Sequence, residues 1–341
     1  MKLIWHQRKL HLRHPFNIAS LARTKNVEKE ITLVQIEHDG QVGWGEASPA
    51  SYYNQSLDSV NATLQRAAGM LGHDPFAFDA MLDSLWQHFP DQAATISAID
   101  IALHDLAGKM LGIPIWKWLG LDLQHVPLTS FSIGIDDLDV IAQKVHEAAD
   151  YPILKVKVGT QEDDRILTAV REAAPDKILR VDANGAWHSS NVLERCRHLV
   201  QKYAVEFIEQ PTSPGDHRAL PAVRAAGLCP IVADESCCSV EDVLRCVGYF
   251  DGINIKLSKC GGIRAALKMI HVARAAGLKV MLGCMIETSV GIAAAAQLAP
   301  LADWIDLDGH LLLADDPFEG IGGQHGRLTL NERPGLGIVE R

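Results

Sequence analysis

One pattern constrains this chain above all others. After Val126-Pro127, a short apolar run is followed by an amphipathic helical stretch, and the pair recurs to near the end of the sequence. The apolar runs are 128–134, 153–158, 178–181, 206–208, 231–233, 252–255, 280–283 and 304–307. Alternating strands and helices build a parallel sheet, because parallel strands need crossovers. Eight strands can close into a barrel or lie open in a doubly wound sheet. Charged residues decide between the two. They sit at the C-terminal ends of many consecutive strands, and only a closed ring brings those ends to one centre. An open sheet would leave the first and last far apart. The reading is therefore a closed α/β barrel.

The first 120 or so residues read as α+β. Segments 3–12, 30–38 and 41–46 have strand character, and Asp39-Gly40 is a hairpin turn. Helical patterns follow near 57–71, 76–88 and 93–111. In the last, Ile96, Ile99, Leu103, Leu106 and Met110 recur at helical spacing, with Gly112 and Pro114 marking the end. The Gly-rich tail is expected to run back to this N-terminal unit. The expected division is 1–125, 126–316 and 317–341.

Composition excludes several functions. With 48% hydrophobic residues the chain packs rather than staying disordered. A formal charge of −10 and the lack of a Lys/Arg cluster argue against nucleic-acid binding. The seven cysteines have no metal-like spacing and read as reduced thiols. The first nine residues lack a signal-peptide core. The apolar stretch 290–302 is Ala-rich and reads as a buried helix rather than a membrane span. The expectation is a cytoplasmic protein with no membrane partner, assembling as a homo-oligomer.

Three acids close successive strands about 25 residues apart: Asp182 in Arg180-Val181-Asp182-Ala183-Asn184, Glu209 in Phe207-Ile208-Glu209-Gln210-Pro211 and Asp234 in Val232-Ala233-Asp234-Glu235-Ser236. One acid in such a place can simply cap the following helix. Three converging carboxylates would repel one another, and a divalent cation resolves this. All-oxygen ligation favours Mg²⁺ or Mn²⁺.

Three lysines join them. In Ile153-Leu154-Lys155-Val156-Lys157-Val158, Lys155 and Lys157 share a face by the two-residue period of a strand. A solvated edge strand would also tolerate them. Lys256 ends a run four strands later, which places it across the barrel from Lys157. Opposed amines flanking a metal suit the removal of a proton from carbon and its return from the other side. General-base help supplies about 10²–10⁴-fold. The rest must come from stabilising the enediolate, a task for a metal at the substrate carboxylate. A cation near Lys157, the metal or Lys155, favours its neutral form.

These motifs resemble the enolase superfamily in its muconate-lactonizing subgroup. The resemblance rests on Lys155-Val156-Lys157, Asp182-Ala183-Asn184, Glu209-Gln210-Pro211, Asp234-Glu235-Ser236 and Asn254-Ile255-Lys256. It extends to Gly43-Trp44-Gly45-Glu46-Ala47 and to Ala98-Ile99-Asp100-Ile101-Ala102-Leu103. It implies a modified TIM barrel, (β/α)7β, under an α+β cap. It implies one Mg²⁺ per subunit on Asp182, Glu209 and Asp234, acid/base roles for Lys157 and Lys256, and a supporting role for Lys155. Ser132 aligns with a hydroxyl residue that bonds the substrate carboxylate.

The reaction is less tightly implied, since the subgroup includes cycloisomerases, o-succinylbenzoate synthases and dipeptide epimerases. Ile305-Asp306-Leu307-Asp308-Gly309-His310 favours the last. Asp306 and Asp308 share a face, resemble the Asp-x-Asp that holds a dipeptide's ammonium, and would find no cation on muconate or succinylbenzoate. A solvent-facing acidic loop is the plain alternative. Substrate side-chain selection should lie in the loops near 17–27 and 48–55, where Arg23 or Lys25 would pair with an acidic side chain. The resemblance thus implies epimerisation of an L,L-dipeptide, Ala-Glu-like as a first guess. Glu287 is a further candidate to line the pocket, and His310 a neighbour of Asp308.

Overall fold

The computed structural model describes residues 1–19 and 27–341. Strands β1 (Lys2–His11), β2 (Glu28–His38) and β3 (Gln41–Ala47) form an antiparallel sheet in that order. Asp39 and Gly40 take φ of 47° and 77° to turn β2 into β3. Helices α1 (Leu57–Ala67), α2 (Phe78–His88) and α3 (Ala93–Leu111) cover the sheet. Val34, Ile36, Leu64, Leu82, Ile99 and Leu103 join them in one core. Helix α3 is buried nearly all round, as expected of a helix held between two layers. Its approach to β3 explains two glycines. A Cβ on Gly43 would lie 2.0 Å from the Ala102 carbonyl oxygen, and one on Gly45 would lie 1.9 Å from that of Ala98.

The barrel strands are β4 (Phe131–Ile133), β5 (Ile153–Lys157), β6 (Ile178–Asp182), β7 (Val205–Glu209), β8 (Ile231–Ala233), β9 (Gly252–Ile255), β10 (Lys279–Gly283) and β11 (Trp304–Asp306). They are hydrogen-bonded in chain order and all parallel, with helices in the crossovers. Thr129 bridges Ile305 in parallel, and the Ser130 N–H donates to the Ile305 carbonyl at 3.3 Å, so the ring meets itself. Strand β4 is shorter than the apolar run 128–134: its ladder to β5 covers only 131–133, and Thr129 and Ser130 meet β11 instead. Phe207, Val232, Met281 and Trp304 fill the interior. Phe207 and Val232 lie two residues before Glu209 and Asp234, so a hydrophobic floor supports the acids on the same inward face.

Three buried acids tie the N-terminal unit to the rest. Asp100 accepts the Ile263 N–H at the start of the helix Ile263–Ala275. Glu46 accepts the Thr288 N–H at 3.1 Å on both oxygens and also the Thr288 hydroxyl; Thr288 caps the helix Ser289–Ala296. Carboxylates favour such helix starts, where N–H groups lack partners. Asp105 accepts the N–H groups of Trp44 and Leu336, each at 2.8 Å, and pairs with Lys109 at 2.7 Å. Leu336 belongs to the tail, and Gly335 bridges Pro114, so the C-terminal segment lies against the N-terminal unit. All seven cysteines are free. Among the described residues, no helix is long and apolar enough to cross a membrane.

Candidate active site

The parallel register sets Lys157 beside Asp182, and Asp182 beside Glu209, across the tops of β5, β6 and β7. Asp234 and Lys256 follow directly on the last residues of β8 and β9. Strands β5 and β9 are four apart in a ring of eight, so Lys157 and Lys256 stand on opposite sides.

Each acid divides its two oxygens in the same way. One oxygen is anchored. Asp182 Oδ1 accepts the Asn184 N–H at 2.9 Å, Glu209 Oε1 accepts the Asn254 amide at 2.6 Å, and Asp234 Oδ1 accepts Lys259 at 2.8 Å. The other oxygen meets one of the three expected lysines. Asp182 Oδ2 holds Lys157 at 2.6 Å, Glu209 Oε2 holds Lys155 at 3.1 Å, and Asp234 Oδ2 holds Lys256 at 2.7 Å. Burial works against the ammonium of Lys256, but the charges of Asp234 and then Glu209 outweigh it and hold its pKa well above the usual value. Lys155 is held up in the same way, with Asp306 and then Glu209 opposing burial.

The acids fit a divalent cation. One oxygen from each of Asp182, Glu209 and Asp234 lies within 4.8 Å of the others, and all three residues are fully buried. Burial, and next the charge of Asp182, push Glu209 up to about 7. Hard carboxylate oxygens whose mutual repulsion raises a pKa suit Mg²⁺.

Asp306 and Asp308 are 3% and 2% exposed, so the reading of a solvent-facing loop fails. Asp306 pairs with Lys155 and accepts the Ser130 hydroxyl at 2.5 Å. Asp308 accepts the Ser132 N–H at 2.6 Å. The Ser132 hydroxyl lies 3.4 Å from both acids. Burial, and then the charge of Asp306, push Asp308 up to about 7. Burial lowers His310 to about 4, which leaves its imidazole neutral. Glu287 is buried within electrostatic reach of Lys29 and Lys256.

The loop of residues 48–55 is pinned at both ends. The Ser48 hydroxyl donates to the Ile286 carbonyl at 3.2 Å, and Gln55 accepts the Ala94 N–H at 3.0 Å. Between them, Tyr53 lies within electrostatic reach of Asp234, Lys259 and Lys256. Arg23 and Lys25 lie outside the described residues.

Several residues around the acids carried no role in the sequence reading. Asn184, Gln210 and Asn254 stand in its motifs but were given no task, and Lys259 went unread. Asn184 and Gln210 adopt φ of 43° and 34°, uncommon for residues with side chains. The Gln210 amide donates to the Thr212 carbonyl and to Ser236 Oγ, each at 2.7 Å, and its oxygen accepts the Asp234 N–H at 2.9 Å. Only Lys259 had a usable signal. Lys256-Leu257-Ser258-Lys259 places a second lysine one helical turn after a site lysine.

Comparison with known proteins agrees with this geometry. The family model described as "Mandelate racemase / muconate lactonizing enzyme, N-terminal domain" matches residues 2–120, and "Enolase C-terminal domain-like" matches 138–340. An L-Ala-D/L-Glu epimerase of Bacteroides thetaiotaomicron is 39% identical over 100% of this chain and 88% of its own. An L-Ala-D/L-amino acid epimerase of Pedosphaera parvula is 41% identical over 95% and 94%. A dipeptide epimerase of Enterococcus faecalis, solved with Mg and L-Leu-L-Tyr, superposes with a TM-score of 0.89 at 34% identity over 99% and 98% of the two chains. The antiparallel N-terminal sheet, the closed eight-stranded ring and these matches over nearly the whole length lead to one assignment: this chain belongs to the mandelate racemase / muconate lactonizing enzyme family of the enolase superfamily.

Proposed function

We propose that this protein is a Mg²⁺-dependent dipeptide epimerase that inverts the C-terminal α-carbon of an L,L-dipeptide by a two-base 1,1-proton transfer. Residues 1–125 would close over the barrel of 126–316, with 317–341 returning to the cap. One observation carries the reading. Two buried lysines stand on opposite sides of the acid ring, and each is paired to a different acid. Relatives named as epimerases of L-Ala dipeptides support it.

Lys157 takes the α-proton from one face, and Lys256 returns one to the other. In the reverse direction they exchange roles. Asp182, Glu209 and Asp234 are the metal ligands. Bound Mg²⁺ would supply the positive field that stabilises charge developing on the substrate carboxylate, and it would compete with the lysines for the three acids. Lys155, already between Glu209 and Asp306, supports the same carboxylate. Ser132 bonds it through its hydroxyl. Asp306 and Asp308 receive the dipeptide's ammonium, whose positive charge offsets the burial and the repulsion by Asp306 that together raise Asp308. Arg23 or Lys25 would pair with an acidic substrate side chain, which makes an Ala-Glu-like dipeptide the first substrate to try.

Deuterium exchange tests this directly. With Mg²⁺ and a dipeptide in D₂O, label should enter one α-carbon only, the C-terminal one. Lys157→Ala and Lys256→Ala should each slow exchange about 10²–10⁴-fold, each from the opposite epimer. Equal losses from both epimers in each variant would defeat the two-base assignment. Turnover of a muconate or succinylbenzoate substrate without dipeptide exchange would defeat the choice of reaction.

A further inference from the structure

Asp234 is held differently from its two companions. The anchored oxygens of Asp182 and Glu209 rest on neutral groups, a backbone N–H and an amide. That of Asp234 rests on a fully buried ammonium, Lys259. Lys259 also donates to the Asp234 carbonyl at 2.5 Å and to the Asn254 carbonyl at 2.8 Å. A lysine has three donors, and all three are spent on the chain itself. It has none left for a substrate.

The placement follows from the local fold. Directly after Lys256 the chain makes a single helical turn, Leu257–Cys260, in which the Lys259 N–H donates to the Lys256 carbonyl at 3.0 Å. This turn brings Lys259 back against the end of β8. With Gln210 accepting the Asp234 N–H at 2.9 Å, the N–H, the carbonyl and Oδ1 of Asp234 are all committed. Oδ2 is the oxygen left outside these bonds, and it meets Lys256.

We infer that Lys259 is a positioning residue: it locks the Asp234 carboxylate so that Oδ2 alone is presented to the metal position and to Lys256. Its effect is therefore one-sided. Lys157 answers to Asp182, whose anchor is the backbone N–H of Asn184 in the turn after β6. Without Lys259 the Asp234 carboxylate is free to rotate, and both the metal geometry and the Lys256 side lose definition. The inference rests on the proposed epimerisation for one of its two readouts and on metal binding alone for the other.

The test uses the full-length protein with Lys259→Met. Mg²⁺ affinity is measured by titration calorimetry, and deuterium exchange is followed from each epimer separately. Partners that orient metal ligands are typically worth about 10–100-fold in affinity, and a loss of that size is expected. Exchange that depends on Lys256 should fall at least about tenfold more than exchange that depends on Lys157. Mg²⁺ affinity within about twofold of wild type, or equal loss from both epimers, would overturn the assignment. Should Lys259→Met fail to fold, Lys259→Gln removes the charge while keeping a donor for the two carbonyls, and the same outcomes decide. Failure of both to fold would make Lys259 a folding residue and also overturn it. A wild-type protein that binds Mg²⁺ but exchanges no dipeptide would sink the proposed reaction, while the calorimetry would still decide the role of Lys259.

Discussion

The molecule holds two sets of three fully buried carboxylates, and they are put to different use. Glu46, Asp100 and Asp105 join the N-terminal unit to the barrel and tail; Asp182, Glu209 and Asp234 form the ring. Burial does not distinguish them. Their partners do. The first set receives backbone N–H groups of Thr288, Ile263, Trp44 and Leu336. In the second set each acid keeps one oxygen on a fixed donor and gives the other to a lysine of the site. A backbone N–H cannot move without moving its chain segment, whereas a site ammonium on a four-carbon stem can leave and return. Lys109 and Lys259 are ammonium partners too, but each is pinned by backbone carbonyls. A buried acid thus builds structure or prepares chemistry according to whether its partner can move.

The same chemical edit on each set should break this comparison most sharply. Asp105→Asn puts an amide NH₂ where both oxygens now accept, facing either a backbone N–H or Lys109. Breaking a buried charged pair costs roughly 3–5 kcal/mol, and we expect a loss of that order in denaturant unfolding, with Mg²⁺ affinity unchanged. Glu209→Gln removes a charge that the ring itself opposes. Its stability should fall by less than that of Asp105→Asn, because Lys155 loses Glu209 but keeps Asp306, while Mg²⁺ affinity falls at least about 100-fold. If both variants lost stability alike and kept the metal, the two sets would not differ as described.

The contrast also separates what was legible in the sequence from what was not. Most strand ends were legible because six of the eight barrel strands close on or directly before a charged residue after a short apolar run, a local signal. Helix α3 was legible to its last residue because Gly112 ends it at a φ of 73°. The acids and lysines of the ring followed from the same period. Their anchors did not. Gln210 and Lys259 act on Asp234 from 24 and 25 residues away, and Glu46 reaches Thr288 across 242. The first two separations are one barrel period, but the period does not say which side chain reaches back to Asp234, and no period at all links Glu46 to Thr288. Gly43 and Gly45 stood in a matching motif, but the reason for them, the close approach of α3, exists only in three dimensions.

Asp306 offers a smaller and sharper test, because it belongs to both worlds. It is anchored by Ser130 and paired to Lys155, yet it is also proposed to meet the substrate's ammonium. Asp306→Asn should weaken kcat/KM for free dipeptides about 10–100-fold more than for their N-acetylated forms, as expected when a charge-assisted bond is lost. Equal weakening of both would leave Asp306 a support for Lys155 alone and remove the main reason for preferring dipeptides.

The smallest effect concerns pH, and it again sets one group against the other. Burial, and then the charge of Glu287, push Glu46 from an ordinary 4.5 up to about 8. A carboxyl raised on folding keeps its proton in the native state after the unfolded chain has lost it. Stability therefore falls as pH rises through this window and levels off above the native value. One proton accounts for at most about 1.4 kcal/mol per pH unit, so roughly 2 kcal/mol should be lost between about pH 6 and about pH 8. Glu46→Gln has no proton to release and can still accept the Thr288 N–H, so its slope should be shallower by that amount in urea unfolding. Glu209, raised to about 7, contributes a slope of the same sign in metal-free protein. Saturating Mg²⁺ should cancel the Glu209 part, because a cation holds the ionised form, and leave the Glu46 part untouched because Glu46 lies outside the ring. Unfolding curves at several pH values, with and without Mg²⁺, separate the two. Identical slopes in wild type and Glu46→Gln would mean that Glu46 is ionised in the native protein and that its helix-capping bonds outweigh its burial.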